Sequence, residues 1–366
     1  MQKIVDKVSF SVLIPDGDTP NTLSIVRCLG EIKKIKIFVL SKDKNHPVRY
    51  SRHITKFLHY PNVETEEGKL KAIIEAIEET NADILLPIDI EFIRLAAANK
   101  DILSKLIAVA PIPEIEAFDT ANDKWLLSKW LKVNDLPQPE TILFKSTDNL
   151  DDIISTLTFP IILKPIIGCG GRGIQIIKNI QELYNWNNKF KNSEDHVIQS
   201  YINGYDIDCS VISIDGKIII HTIQKSIKYV IDDPWAYAME FADNEAVYEI
   251  VKEIVEKFNW TGVNNIALRY DENTQDFKVI EMNPRYWASV LATLFTGVNF
   301  PYTSCLLALK KEVPKTSASN KIVIRSGDAL KMMMKRFTKQ NYLHYNNTYL
   351  ELTIKDPIPT IAKIFR

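Results

Sequence analysis

The chain has 366 residues, 46% of them hydrophobic, with 45 Lys and Arg against 46 Asp and Glu for a net charge of −1. That apolar content suffices for a large core spread over two or three domains or subdomains, and the balanced charge gives no global basic field for nucleic acid. No apolar run reaches the length of a membrane span, the N-terminus lacks a signal-peptide block, and Cys28, Cys169, Cys209 and Cys305 form no CxxC or Cys/His pairing, so the expectation is a cytoplasmic protein without structural zinc, disulfides or a membrane partner.

In chain order, Val8–Ile14 reads as a strand. It is followed by Asp16-Gly-Asp-Thr-Pro20, where Asp18 or Thr19 caps a helix running to about Lys33 and Pro20 sits in its first turn. Ile35–Leu40 is the next strand, the segment from about Glu66 to Thr80 a helix, and Asp83–Pro87 a third strand. This alternation implies a parallel sheet covered on both faces. Asp16, Gly17 and Asp89 then lie on its carboxyl edge, where open α/β sheets bind ligands, unless they are ordinary helix caps. A break at Ala110-Pro-Ile-Pro113 precedes a helix over Thr120–Val133 and the punctuated turn Leu136-Pro-Gln-Pro139. From Glu140 paired strands and short helices indicate an α+β region. The expected division is residues 1–115, 116–310 and a C-terminal extension 311–366. The run Met332-Met-Met-Lys-Arg336 in that extension reads as helix packing.

The densest signal is Phe159-Pro-Ile-Ile-Leu-Lys-Pro165 followed by Gly168-Cys-Gly-Gly-Arg-Gly173. A buried strand presents Lys164, and a loop with four of the chain's 12 glycines follows. Glycine lets successive N–H groups turn toward one point, and the lysine adds a full charge there, a combination suited to polyphosphate. The lysine precedes the glycines, so this is not a GxxxxGK[ST] loop. Ile174-Gln-Ile-Ile-Lys178 is β-branched and apolar, which makes the loop the tip of a hairpin rather than the start of a helix. A mobile glycine hairpin without a ligand is the alternative.

Three further stretches flank this loop: Ala121-Asn-Asp-Lys124 with Leu136-Pro-Gln-Pro-Glu-Thr141, then Val197-Ile-Gln-Ser-Tyr-Ile-Asn-Gly-Tyr-Asp-Ile-Asp208, then Val279-Ile-Glu-Met-Asn-Pro-Arg285. In this order the four pieces, over roughly residues 119–290, resemble the ATP-grasp superfamily of carboxylate–amine ligases and carbamoyl-phosphate-synthase-like proteins. The resemblance implies an ATP-grasp fold with a lid at about 125–200 and a metal and hinge part at about 200–310, behind a Rossmann-like parallel α/β domain. It implies ATP and Mg²⁺ as cofactors. Lys124, Lys164 and the loop glycines Gly168, Gly170, Gly171 and Gly173 would hold phosphates, Gln199 and Tyr201 the adenine through backbone groups, and Asp206 the ribose. Glu281 and Asn283, two apart on one strand face, suit a hard cation that prefers oxygen. Arg285 would hold the transferred phosphoryl group or acyl phosphate, with Lys164 as its catalytic partner.

The implied reaction activates a carboxylate as an acyl phosphate and condenses it with an amine, with small-molecule acids and amines as partners and a homodimer as the expected assembly. The segment His221-Thr-Ile-Gln-Lys-Ser226 should run near the phosphates, with His221 or Lys225 as candidates, and Asp208 is a weaker acidic candidate beside Asp206. Trp287 and Lys228, Tyr229, Trp235 and Tyr237 are candidates to line the pocket, and Arg269 either binds a carboxylate or pairs with Asp271. One departure bears on catalysis: Ala267 stands where relatives place an acid or a glutamine opposite Glu281, leaving Asn265 as a neighbouring oxygen donor. A nucleotide-binding module without turnover and a kinase are the competing readings.

Overall fold

The computed structural model describes residues 9–61, 63–145, 148, 150–155, 157–168, 171, 173–190, 195–228, 237–316, 318–324 and 348–365. Gly170, Cys169, Tyr229, Trp235 and the methionine run at 332–334 lie outside them, as do the side chains of Lys228 and Tyr237.

The chain opens with β1 (Phe10–Ile14), α1 (Thr22–Gly30), β2 (Ile35–Ser41), β3 (Ile54–His59), α2 (Glu66–Thr80), β4 (Ile84–Leu85), α3 (Ile90–Ala98), α4 (Lys100–Leu103) and β5 (Ala108–Val109). The five strands form a parallel sheet in the order β3-β2-β1-β4-β5. Every residue of β1 is buried, as a strand covered on both faces requires. Helix α2 spans the expected residues because its ends are specified chemically: Thr65 caps Gly68 N, and Asn81 stops the helix in the left-handed conformation at φ 47°. Helix α1 departs from expectation. It starts at Thr22 without a side-chain cap, because Asp18 turns toward Ser41 and Lys42 instead.

Next come α5 (Ile115–Asn122) and α6 (Lys124–Val133) in place of the single helix expected over Thr120–Val133. Asp123 breaks them apart. Its backbone is extended (φ −96°, ψ 116°) and its carboxylate accepts from Trp125 N and Leu126 N, so it caps α6 and makes Lys124 the first residue of that helix.

A four-stranded antiparallel sheet follows, built from β6 (Thr141–Phe144), β7 (Ile161–Pro165), β8 (Gln175–Ile177) and β9 (His196–Ser200) in the order β6-β9-β7-β8. With α7 (Leu150–Ile154) and α8 (Ile180–Phe190) it encloses its own small core of Phe144, Leu163, Leu183, Trp186 and Ile198. The glycine loop is the β7–β8 hairpin tip, as its flanking residues predict.

The third sheet has six antiparallel strands, β10 (Gly204–Ile214), β11 (Lys217–Lys228), β12 (Tyr237–Phe241), β13 (Gly262–Asp271), β14 (Asp276–Asn283) and β15 (Lys321–Ile324), ordered β14-β13-β10-β11-β12-β15. Helix α9 (Glu245–Lys257) lays Val247, Val251, Ile254 and Val255 on one face, and these pack onto Ile207, Cys209, Val211, Ile266 and Leu268. The opposite face of β10, β11, β13 and β14 is thereby left to the alternate, polar residues.

The polypeptide after β14 stitches this sheet to the first. Tyr286 N donates to Ile88 O (3.1 Å) and Asn21 Nδ2 donates to Tyr286 O (3.1 Å). Tyr286, Trp287 and Phe300 of α10 (Phe300–Ala308) belong to the same core as β1 and β4. Beyond it, Asp356 joins two C-terminal helices (Leu350–Lys355 and Ile358–Ile364), and its buried carboxylate accepts from Arg27 Nε (3.3 Å), Ser51 Oγ (2.9 Å) and Arg52 N (3.0 Å). Among the described residues no single helix is long and apolar enough to cross a membrane.

Candidate active site

Strand register arranges the polar face of the large sheet in rows, because directly opposed residues of antiparallel strands share a face. One row pairs Asp206 with Arg269. The next reads Gln224, Asp208, Ala267, Glu281 across β11, β10, β13 and β14, and the one beyond reads Thr222, Ser210, Asn265, Asn283. Side-chain bonds follow the rows: Arg269 Nη1 to Asp206 Oδ1 (2.6 Å) and Asn265 Nδ2 to Ser210 Oγ (3.0 Å). Ala267 is the one apolar side chain among these ten. It faces Glu281, as expected from the sequence.

Two lysines approach this wall, Lys164 from β7 of the four-stranded sheet and Lys124 from the start of α6. Lys164 is 4% exposed and Lys124 6%. Lys124 Nζ donates to Gly168 O (2.9 Å), so the first residue of α6 grips the glycine loop. Within that loop Gly171 and Gly173 adopt φ 74° and 75°, a region that favours glycine. Burial pulls Lys164 down to about 8 from its ordinary 10.5; Glu281 and Asp206 oppose the change, while Lys124 and Arg269 reinforce it. Burial likewise raises Asp208 to about 6; Gln224 opposes this by hydrogen bonding, and Asp206 and Glu281 reinforce it. Lys164 thus lies within electrostatic reach of Glu281, Asp206 and Arg269, and Asp208 of Asp206 and Glu281, although these residues come from four separate strands.

The hinge runs from β9 into β10. Gln199 Nε2 bonds Thr141 Oγ1 (3.0 Å), and Tyr201 N donates to Pro160 O (3.3 Å), so both are engaged within the protein. Arg269 fastens the hinge by donating to Ile202 O (2.8 Å) and Gly204 O (2.8 Å) as well as to Asp206, and its guanidinium lies 5.8 Å from the Tyr201 ring centre. Its acidic partner is thus Asp206, while Asp271 pairs with Lys278 (3.5 Å).

Arg285 stands where the first and third sheets meet. Its Nε lies 3.7 Å from Asp89 Oδ1, Nη1 donates to Tyr286 O (2.7 Å), and Nη2 is 3.5 Å from Asn283 Oδ1. Asp89 also caps α3 by accepting from Ile90 N, so it is both a cap and a partner at this junction. Asp16 is fully buried and accepts from Ile88 N (2.8 Å) and Asp89 N (3.3 Å), fixing the β4–α3 turn; burial pushes its carboxyl well above the usual range.

Two candidates fall outside the site. His221 pairs with Val211 on the helix-covered face and packs its ring 4.7 Å from Tyr248 of α9. Lys225 bonds Glu240 (3.2 Å) and lies 5.7 Å from the Tyr205 ring, on the same side as Ile207. The intervening residues of β11 are the ones that face the rows: Thr222 and Gln224. Period-two alternation through His221–Ser226 selects them once the helix side is known. Trp287 is buried, 4% exposed, against Phe300.

The donor set fits Mg²⁺. It consists of carboxylate, amide and hydroxyl oxygens, and the buried Gln224 Oε1 and Thr222 Oγ1 have no hydrogen-bond partner among the described residues. Among the described residues no three His, Cys, Asp or Glu side chains converge as a cage, so an ion here would also use amide, phosphate and water oxygens.

Residues 121–289 match the family model for the ATP-grasp domain. The chain therefore carries an ATP-grasp domain, preceded by a parallel α/β sheet. Among its relatives is the carbamoyl phosphate synthase large chain of Clostridium acetobutylicum, 27% identical over 194 residues, which cover 50% of this chain and 18% of that one. The chain thus spans under a fifth of that relative's length. Among the solved structures that share the fold are two ATP-grasp neighbours. The biotin carboxylase domain dimer of Hydrogenobacter thermophilus 2-oxoglutarate carboxylase, in complex with MgADP, ADP and bicarbonate, superposes with a TM-score of 0.64 at 18% identity, over 85% of this chain and 72% of that one. The L-amino acid ligase from Bacillus licheniformis gives 0.62 at 19% identity, over 83% and 74%.

Proposed function

We propose that this protein is an ATP-dependent, Mg²⁺-using ligase that activates a small carboxylic acid and joins it to an amine. The observation that carries this reading is the convergence of Lys124 and Lys164 with Glu281 on a wall that ends at Arg285. MgADP in a protein of the same fold supports the cofactors, and an amino acid ligase of that fold supports the reaction class. A homodimer is the proposed assembly, after the dimer formed by the first of these.

The nucleotide and its ion would supply the phosphoryl group and the charge that make a carboxylate reactive. Glu281 and Asn283 would hold the ion. Lys164 from the four-stranded sheet and Lys124 from α6 would balance the phosphate charge, and the glycine-rich sequence of the loop suits phosphate contacts through its N–H groups. Asp206, held by Arg269, offers an acceptor to the ribose. Arg285 presents a planar guanidinium to the activated acid, and Asp89 and the Tyr286 carbonyl fix its orientation. Closure of the lid sheet excludes water from an intermediate that water would hydrolyse.

The test is ADP release from Mg-ATP across a panel of amino acids and small acids, with Glu281→Gln as control. Turnover that needs both an acid and an amine, and that disappears in the variant, is the expected result. Ala267 favours a second reading, a nucleotide-binding module without turnover. Nucleotide binding in calorimetry, together with silence across the panel and activity created by Ala267→Asp, would replace the first reading with that one.

A further inference from the structure

The row Gln224, Asp208, Ala267, Glu281 holds two carboxylates separated by one methyl group. Neighbouring strands lie about 4.8 Å apart, so Asp208 and Glu281 stand about 10 Å apart at their Cα atoms on the same face. Each side chain reaches several ångströms toward the other across Ala267, and an Mg²⁺ ion adds about 2.1 Å of bond length on each side. An acid at position 267 would fill this interval. Alanine leaves it open, and Asp208, Ala267 and Glu281 are all partly accessible from the lid side. A second observation adjoins the slot, on the other side of Asp208. Gln224, 6% exposed and directly opposite Asp208, donates its amide to Ser289 Oγ (2.7 Å), while its buried side-chain oxygen has no partner among the described residues.

We infer that Asp208 is the second carboxylate of the metal site, binding a divalent cation in the slot over Ala267 jointly with Glu281. The carboxylate has moved one strand over, from β13 to β10, and Ala267 is the clearance that lets the ion sit between its ligands. On this arrangement Ala267 is part of a working site and not a mark of decay. Lys164 faces the row from the lid and supplies no cation ligand, so the slot is acidic on the sheet side and basic on the lid side. A cation bridging the row to phosphate oxygens meets that polarity. The inference rests on the nucleotide reading above.

The experiment is a Mn²⁺ titration of the full chain with ADP present, following free Mn²⁺ by electron paramagnetic resonance, with ADP affinity in EDTA measured alongside. Asp208→Asn should weaken Mn²⁺ binding at least tenfold, with no loss of ADP affinity in EDTA. The double variant Asp208→Asn, Ala267→Asp should recover most of the loss by returning a carboxylate to the row. If Asp208→Asn does not fold, Ala267→Val decides: its methyls occupy the slot while both acids remain, and Mn²⁺ affinity should again fall tenfold or more. Wild-type Mn²⁺ affinity in Asp208→Asn, or in Ala267→Val where that variant decides, would overturn the assignment. Failure of the wild-type protein to bind ADP at all would remove the nucleotide reading and the assignment with it, and is separately visible in the EDTA arm.

Discussion

Replacing Lys164 by methionine tests the electrostatics of the site without any knowledge of substrate. Lys164 is 4% exposed, and burial lowers it from 10.5 to about 8. At about 1.4 kcal/mol for each pKa unit, keeping this side chain charged costs the folded state about 3 kcal/mol. The sign follows from linkage. Below pH 8 the lysine is protonated in both folded and unfolded chains, and between 8 and 10.5 the unfolded chain binds more protons, so stability rises with pH across that window. Lys164→Met removes the group and with it that rise. Urea denaturation of both proteins at intervals from pH 7 to 10.5 reads the effect as a difference that cancels the other titrating groups. The variant should be the more stable near pH 7, by up to about 3 kcal/mol, and the gap should close as pH approaches 10.5. Parallel stability curves over the whole range would refute the reasoning, since they would mean that Lys164 carries no desolvation cost. The variant should also lose affinity for ADP, because phosphate is the partner that returns the cost on binding.

Other substitutions probe single contacts. Arg285→Lys keeps the charge but not the planar fork, and should lower kcat by about a hundredfold in the ligase assay while ADP affinity holds. Asp206→Asn should weaken ATP binding by about tenfold and shrink the difference between ATP and a ribose-deoxygenated analogue, measured by calorimetry. Asp356→Ala leaves the buried Arg27 guanidinium without its carboxylate and should cost about 3 kcal/mol, with the C-terminal helices becoming the first site of limited proteolysis.

The sequence outlines the candidate site more sharply than its surroundings, for reasons visible in particular residues. Lys164, Glu281, Asn283 and Arg285 stand out as candidates because special chemistry is packed into short contiguous motifs. Helix α2 is legible as a helix over about Glu66–Thr80, with its end chemistry at Thr65 and Asn81 visible only in the structure, and the β7–β8 hairpin from the β-branched residues that follow the glycines. What escaped depends on register. Nothing local in Thr222 or Gln224 says that they share a face with Asp208, and nothing in His221 says that it points to α9. Those facts appear only once the helix chooses a side of the sheet. The break at Asp123 is legible only in part: Ala121-Asn-Asp-Lys124 reads as opening a helix, yet the apolar period carries that helix back to Thr120, and the start is settled by Asp123 bonding Trp125 N and Leu126 N.

The bonds from Asn21 to Tyr286 and from Tyr286 to Ile88 make one rigid anvil of the first and third sheets, and the core they share leaves that anvil no joint at which to open. The four-stranded sheet is packed around a core of its own, so a swing of that sheet would unseal no apolar interior. On the proposed reading, selection of the acid at Arg285 belongs to a surface whose shape is set before any ligand arrives. Variants that retune the lid should change how long a captured nucleotide is kept, and leave the choice of partner molecule as it was.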